Sequence, residues 1–366
     1  MSSSIYCYDP IAGDPLSRVR GVGRYLQILR ENFSHWTFAN KSGMRNSELR
    51  IFINPFFNFL QPPLSIRRIA KKQVAIIHDL IPLKYPEHFP AGIKGKINIF
   101  LNKLVLKHYD SIVTDSEASK KDIVRILGIN EDKVKVIYPC LPKIFSNSKL
   151  VIRDSEKQKQ ENPNYQLPVT NYCIYVGDAT WNKNLVNLAR AIKEINVTCV
   201  FVGKVFSNSE LVISNLDKQN NPNYQLPVTS YSNPWQKELK QFIEEAKNDK
   251  RFIFPGFIPD EELMTLYRNA KCNILVSRDE GFGFSYLEAA SQSCPSILSG
   301  IPTLKEISDS KGALFAPPEK VSDIANTIGE LYFNRDKRNT LGIEAERQAR
   351  YYSYSKFTHE WSKIVI

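Results

Sequence analysis

The segment Leu275–Pro295, LVSRDEGFGFSYLEAASQSCP, constrains the chain more than any other stretch. Its start overlaps an apolar run that closes on a small polar residue, Asn273-Ile274-Leu275-Val276-Ser277, and this predicts a buried strand of about 4–5 residues. From Phe284 to Ser291 the residues are good helix formers with no breaker, which predicts a helix. Glu280-Gly281-Phe282-Gly283 therefore falls where a strand hands over to a helix. Two glycines let the backbone approach a ligand closely, and the N–H groups of a helix start favour an anion. Glu280 in the loop and Glu288 inside the helix bracket the turn. Such a pair suits two hydroxyl-bearing parts of one ligand, with a phosphate between them at the loop amides. That is the chemistry of a nucleotide-sugar.

The rest of the chain must supply a setting for that turn. With 366 residues it is too long for one ordinary core, so two domains are expected. No apolar run approaches the roughly 18–20 residues of a membrane span, and the Ser-rich amino terminus lacks the apolar core of a signal peptide. Cys7, Cys140, Cys173, Cys199, Cys272 and Cys294 are scattered without C-x-x-C spacing. They read as small buried hydrophobes in a reducing compartment, so the expected location is cytoplasmic.

The net charge of +11 is uneven: Met1 to Phe145 holds 22 Lys and Arg against 12 Asp and Glu. Lys94, Lys96, Lys103 and Lys107 alternate with Ile97, Ile99, Phe100, Leu101, Leu104, Val105 and Leu106. Two readings fit that segment. It is either a helix resting on anionic lipid at the inner face of a membrane or a packed helix with a wet basic face. Nucleic acid is not expected as a partner, because no binding module accompanies the charge.

In chain order, Ser4 to Asp9 predicts a first strand, and a glycine-rich loop, Arg20-Gly21-Val22-Gly23-Arg24-Tyr25, leads into a helix through Leu26, Leu29 and Phe33. The third glycine of a dinucleotide fingerprint is missing, yet a loop there would face the ligand edge of an open α/β sheet. Leu49 to Ile53 and Gln73 to Ile77 predict short parallel strands, the second running directly into His78-Asp79-Leu80-Ile81-Pro82-Leu83. A histidine at a strand's carboxyl end sits where such sheets place ligands. Ser111 to Thr114 predicts another strand, and Asp115 or Ser116 reads as the cap of the next helix rather than Asp115-x-Glu117 as a metal pair. Lys133 to Pro139 reads as the last strand of the first domain.

Phe145–Ile152 with Asn162–Thr170 then recurs almost verbatim as Phe206–Ile213 with Asn221–Thr229. Two copies are too few for a solenoid, so they read as duplicated, flexible surface insertions. Tyr172 opens the second domain. Its first strand ends at Val176-Gly177-Asp178, and Trp181-Asn182-Lys183-Asn184 leads into a helix from Leu185 to Ile195. A basic side chain with helix N–H groups at such a crossing suits a diphosphate.

At these positions the chain resembles a known family. Glu280-Gly-Phe-Gly-x-x-x-x-Glu288, followed by Ala289-Ala290 and Cys294-Pro295, resembles the E-x7-E signature of retaining GT-B glycosyltransferases of family 4 (glycosyl transferases group 1). Arg20–Tyr25 resembles that family's G-[VI]-G-R-Y loop, and His78–Leu83 is similar to the HDL-I-P segment of its mannosyltransferase-like members. Val176–Asn184 is similar to the phosphate loop V-G-x-x-x-x-[RN]-K-N, although Asp178 and Asn182 stand where arginines are commoner. The aromatic-rich tail, Tyr351 to Trp361, resembles the helix that crosses back to the first domain.

The resemblance implies an α/β, GT-B fold of two Rossmann-like domains facing each other across a cleft. Residues 1–144 would bind the acceptor, 145–171 form a linker with the first inserted repeat, 172–345 bind the nucleotide-sugar with the second repeat at about 206–233, and 346–366 cross back. It implies catalytic roles for Glu280, His78 and Lys183. Donor contacts carry over to Gly23, Gly177, Asn182, Lys183, Lys204, Ile258, Gly281, Phe282, Gly283 and Glu288. Mannose from GDP-mannose, passed to a saccharide or lipid-linked acceptor, is the favoured transfer, with no metal or other cofactor. A non-hydrolysing sugar-nucleotide epimerase and a catalytically inactive nucleotide-sugar-binding protein are the rival expectations.

Overall fold

Strands such as Cys173–Val176 and Cys199–Val202 are buried along their whole length, as parallel strands covered on both faces require. The computed structural model describes residues 5–10, 21–40, 49–146, 170–207 and 234–365. It divides into two compact units, Met1–Lys143 with Glu280–Phe282 and Tyr352–Ile366, and Ile144–Asp279 with Gly283–Tyr351.

The first unit holds β1 (Ile5–Tyr8), β2 (Thr37–Ala39), β3 (Leu49–Asn54), β4 (Ala70–Ile76), β5 (Ser111–Thr114) and β6 (Val134–Val136). They pair in parallel in the order β2-β1-β3-β4-β5-β6. Helices α1 (Val22–Asn32), α2 (Ile81–Lys84), α3 (Gly92–Val105) and α4 (Glu117–Leu127) connect them, and α5 (Lys143–Ser146) leads out. The core centres on Phe52, Ala75, Ile112 and Ile123.

The second unit holds β7 (Cys173–Val176), β8 (Cys199–Val202), β9 (Phe252–Gly256), β10 (Asn273–Leu275), β11 (Ser296–Ser299) and β12 (Ala313–Ala316). Its parallel order is β12-β11-β10-β7-β8-β9. This is the full doubly wound order, with the chain reversing direction across the sheet between β7 and β10. The first sheet instead has the flavodoxin-like order, reversing between β1 and β3. Helices α6 (Leu185–Ile195), α7 (Lys237–Ala246), α8 (Asp260–Asn269), α9 (Phe284–Ser291), α10 (Pro302–Ser308), α11 (Val321–Phe333) and α12 (Arg335–Ala349) belong here. The last helix, α13 (Tyr354–Val365), belongs to the first unit, where Phe357 and Trp361 are buried among Tyr25, Phe33 and Trp36.

Two expectations change. Gly23 lies in the buried first turn of α1 and not in a loop, because the helix already begins at Val22, after Gly21 at φ 52°. Glu280–Phe282, assigned with the second domain from sequence, groups with the first unit. The duplicated segments fall largely at 147–169 and 208–233, outside the described residues.

Candidate functional site

The turn after β10 is held by its own side of the fold. Arg278 donates its backbone N–H to the Asn182 carbonyl (2.7 Å) and a guanidinium N–H to the Trp181 carbonyl (2.6 Å), and lies over the Trp181 ring at 5.0 Å. The Asn182 amide donates to the Asp279 carbonyl (3.1 Å) while its oxygen accepts the Thr180 hydroxyl (2.8 Å). Asn184, in the left-handed region at φ 60°, donates to the carbonyls of Val276 (3.0 Å) and Pro318 (2.6 Å). The Trp181–Asn184 loop and the Val276–Asp279 segment are thus one hydrogen-bonded piece. Lys183 is half-buried on it, and Gly177 sits at the mouth of β7, its N–H bonded to the Val202 carbonyl.

Gly283 starts α9 at φ 98°, and a Cβ there would stand 2.8 Å from Leu304 Cδ2. Both facts demand glycine. Beyond it Glu288 is 3% exposed and accepts the Tyr267 hydroxyl at 3.3 Å. The amino end of α9 carries the partial positive charge of a helix start. Ile258 is buried, the Phe257 N–H bonds the Ser207 hydroxyl (2.9 Å), and Lys204 is exposed.

In the first unit Ile76 of β4 lies opposite Val113 of β5. Two residues further along each strand come His78 and Asp115, so the register alone sets them side by side. His78 Nδ1 meets Asp115 Oδ2 at 2.6 Å and Nε2 meets the Pro55 carbonyl at 2.9 Å. Tyr25 stands edge-on to the ring at 4.9 Å. Two acceptors on one imidazole suit a ring protonated at both nitrogens. Burial alone would lower the ionisation of His78. The charge and hydrogen bond of Asp115, with Asp79 and the Pro55 carbonyl adding, outweigh burial and raise it. Asp115 is buried and its Oδ1 has no hydrogen-bond partner.

The same unit holds Glu280–Phe282. Ser116 caps α4, accepting the Ser119 N–H (3.1 Å), and donates its hydroxyl to the Gly281 carbonyl (2.8 Å). A Cβ on Gly281 would stand 2.7 Å from the His78 carbonyl oxygen, so glycine is needed here for contact with the His78 backbone. Glu280 is 8% exposed, and Phe282 packs edge-on against Tyr352 at 5.7 Å.

Sequence reasoning missed three structural partners. Asp115 reads from sequence as a cap candidate, and its place at a strand's carboxyl end, shared with His78, is the signal that could have found it. Ser116 alone caps the helix. Asn184 reads from sequence only as part of a loop and Arg278 only as part of a segment, because their bonds run to backbone carbonyls far away in sequence. Among the described residues no three His, Cys, Asp or Glu side chains gather as metal ligands, and no helix is long and apolar enough to cross a membrane.

Comparison with known proteins follows the same lines. Residues 154–348, just over half the chain, match the family model described as glycosyl transferases group 1. The O-antigen chain mannosyltransferase B of Escherichia coli is 24% identical over 292 residues, 79% of this chain and 68% of that protein. The O-antigen chain mannosyltransferase RfbU of Salmonella typhimurium is 26% identical over 251 residues, 69% of this chain and 58% of that protein. Among solved structures, a sucrose-phosphate synthase from Thermosynechococcus elongatus superposes with a TM-score of 0.72 at 15% identity, covering 98% of this chain and 97% of that one. The two parallel six-stranded sheets and this superposition are those of the GT-B glycosyltransferase fold.

Proposed function

The chain belongs to the glycosyl transferases group 1 family, and we propose that the reaction it catalyses is retaining transfer of mannose from GDP-mannose to a saccharide or lipid-linked saccharide, in polysaccharide or glycolipid synthesis. The observation that carries this reading is the pair of protein-enclosed carboxylates, Glu280 at 8% and Glu288 at 3% exposure, on either side of the glycine turn that starts α9. Ionised carboxylates only accept hydrogen bonds, and sugar hydroxyls supply donors. The names of the two mannosyltransferase relatives and the His78–Leu83 segment favour mannose.

As the bond from the anomeric carbon to the diphosphate breaks, positive charge develops on the sugar and negative charge on the leaving group. Lys183, with Lys204 in support, and the amino end of α9 stabilise the diphosphate. Glu280 holds hydroxyls of the sugar and Glu288 those of the ribose. His78, whose protonated form Asp115 favours against burial, stands at the carboxyl end of β4 beside the transferred sugar. The leaving phosphate oxygen takes the acceptor's proton, and the acceptor oxygen bonds to the anomeric carbon on the same face, so the configuration is retained. No metal ion enters this scheme.

A screen of nucleotide-sugars with and without acceptor, each in EDTA, tests it. GDP-mannose should be turned over in the presence of chelator. Conversion of donor to its epimer without acceptor would make the protein an epimerase. Nucleotide binding without turnover of any donor would make it an inactive binding module, and rescue only by Mg²⁺ or Mn²⁺ would overturn the metal-free scheme.

A further inference from the structure

Helix α3 packs inward through Ile99 and Val105 as well as through amide side chains, and keeps a second apolar side outward. Its buried residues are Gly95, Asn102 and Val105. Asn102 donates its side-chain amide to the Gln61 carbonyl at 2.7 Å, and Asn98 donates to the Leu60 carbonyl at 2.8 Å. The inner face is therefore fastened by amide hydrogen bonds to the loop beneath it. On the opposite face Ile93, Ile97, Phe100 and Leu104 are 81%, 54%, 63% and 43% exposed. Their spacing of four, three and four residues places them in one stripe. An isolated exposed apolar side chain carries no message, but a row of four marks a contact surface.

Lysines border the row. At about 100° per residue, Lys96 and Lys103 fall along one edge and Lys94 along the other, and Lys107 follows in the 3₁₀ turn after the helix. All four are exposed, and among the described residues none forms an ion pair with an acid. No acidic residue occurs between Glu87 and Asp110.

We infer that this face of α3 docks on an anionic lipid bilayer, with Ile93, Ile97, Phe100 and Leu104 at the acyl boundary and the lysines among the headgroups. Charge selects this occupant. A second copy of the same face would set lysine against lysine, whereas anionic headgroups neutralise all four. The inference gives the lipid-linked acceptor reading a surface, and rests on that reading for its purpose. The binding itself does not depend on turnover.

Vesicle flotation of the full chain, without donor, tests it. The protein should float with phosphatidylglycerol–phosphatidylcholine vesicles and stay behind with phosphatidylcholine alone. Each of Lys94→Gln, Lys96→Gln, Lys103→Gln and Lys107→Gln should lower the partition coefficient about fivefold, and raising the salt should mimic that loss. The double variant Ile97→Ser/Phe100→Ser should abolish flotation with unchanged circular dichroism and unchanged turnover of nucleotide-sugar in solution. A failure of the transfer reading would instead appear in that solution assay. Failure to float with anionic vesicles, flotation that survives both sets of substitutions, or sedimentation showing a dimer dissociated by Phe100→Ser would each overturn the inference.

Discussion

Replacing Asp115 by asparagine should destabilise the protein in a pH-dependent way. The side chains of the pair are 17% exposed at His78 and 3% at Asp115. A hydrogen bond to a charged group at such a site contributes about 1.5–3 kcal/mol, roughly twice a neutral one. Asparagine can still accept the Nδ1 proton through its oxygen, so the variant loses the charged part alone, about 1–2 kcal/mol. His78 ionises above the value of an exposed histidine in the folded state. The stabilisation is therefore full below about pH 6.5, the unfolded value, and fades as the pH rises through the folded value. Urea unfolding of wild type and variant at pH 6 and pH 9 should show the gap at pH 6 and its narrowing at pH 9. The His78 ring titration, followed by NMR, should move down in the variant. An equal gap at both pH values, or an unmoved titration, would refute the claim that Asp115 works through its charge.

Other perturbations separate the roles of the remaining residues. Glu280→Gln should lower kcat on the order of 10²-fold with little change in donor affinity; near-normal turnover would remove Glu280 from the reaction. Glu288→Ala should instead weaken nucleotide binding by about 1.5–3 kcal/mol, read by calorimetry with GDP, and an unchanged affinity would contradict the ribose contact. Gly281→Ala drives a Cβ to 2.7 Å from the His78 carbonyl oxygen, so the urea midpoint should fall by an amount equivalent to about 1–3 kcal/mol. A variant as stable as wild type would show that this contact relaxes freely.

The most readable parts of the sequence were those where local chemistry and burial agree. The helix at Phe284–Ser291 and the one at Leu185–Ile195 have the bounds that their residues indicate, because each follows a short apolar strand and a turn with glycine or asparagine. The cap of α4 narrows from sequence to Asp115 or Ser116, and it is Ser116. Less was legible where pairing across the sheet decides. The three-residue β2, Thr37–Ala39, sits at an edge and has too little pattern to declare itself. The contact between His78 and Asp115 depends on β4 and β5 being neighbours, which periodicity does not reveal. Around α3 the composition showed a basic and apolar segment but not its orientation; the hydrogen bonds of Asn98 and Asn102 turn the apolar stripe outward. Gly177 and Gly281 read as contacts for a ligand, and at each a protein atom also lies within 3 Å of where a Cβ would go.

The central claim is that two carboxylates around a glycine turn serve retaining transfer of mannose. Proton NMR of the product formed from GDP-mannose reads it directly through the anomeric signal. Because the donor is α-linked, the account predicts an α-mannosyl product from the first turnover, formed in the presence of EDTA. A β-linked product, or a GDP-mannose signal unchanged beside an acceptor mannosylated by no other donor, would contradict it.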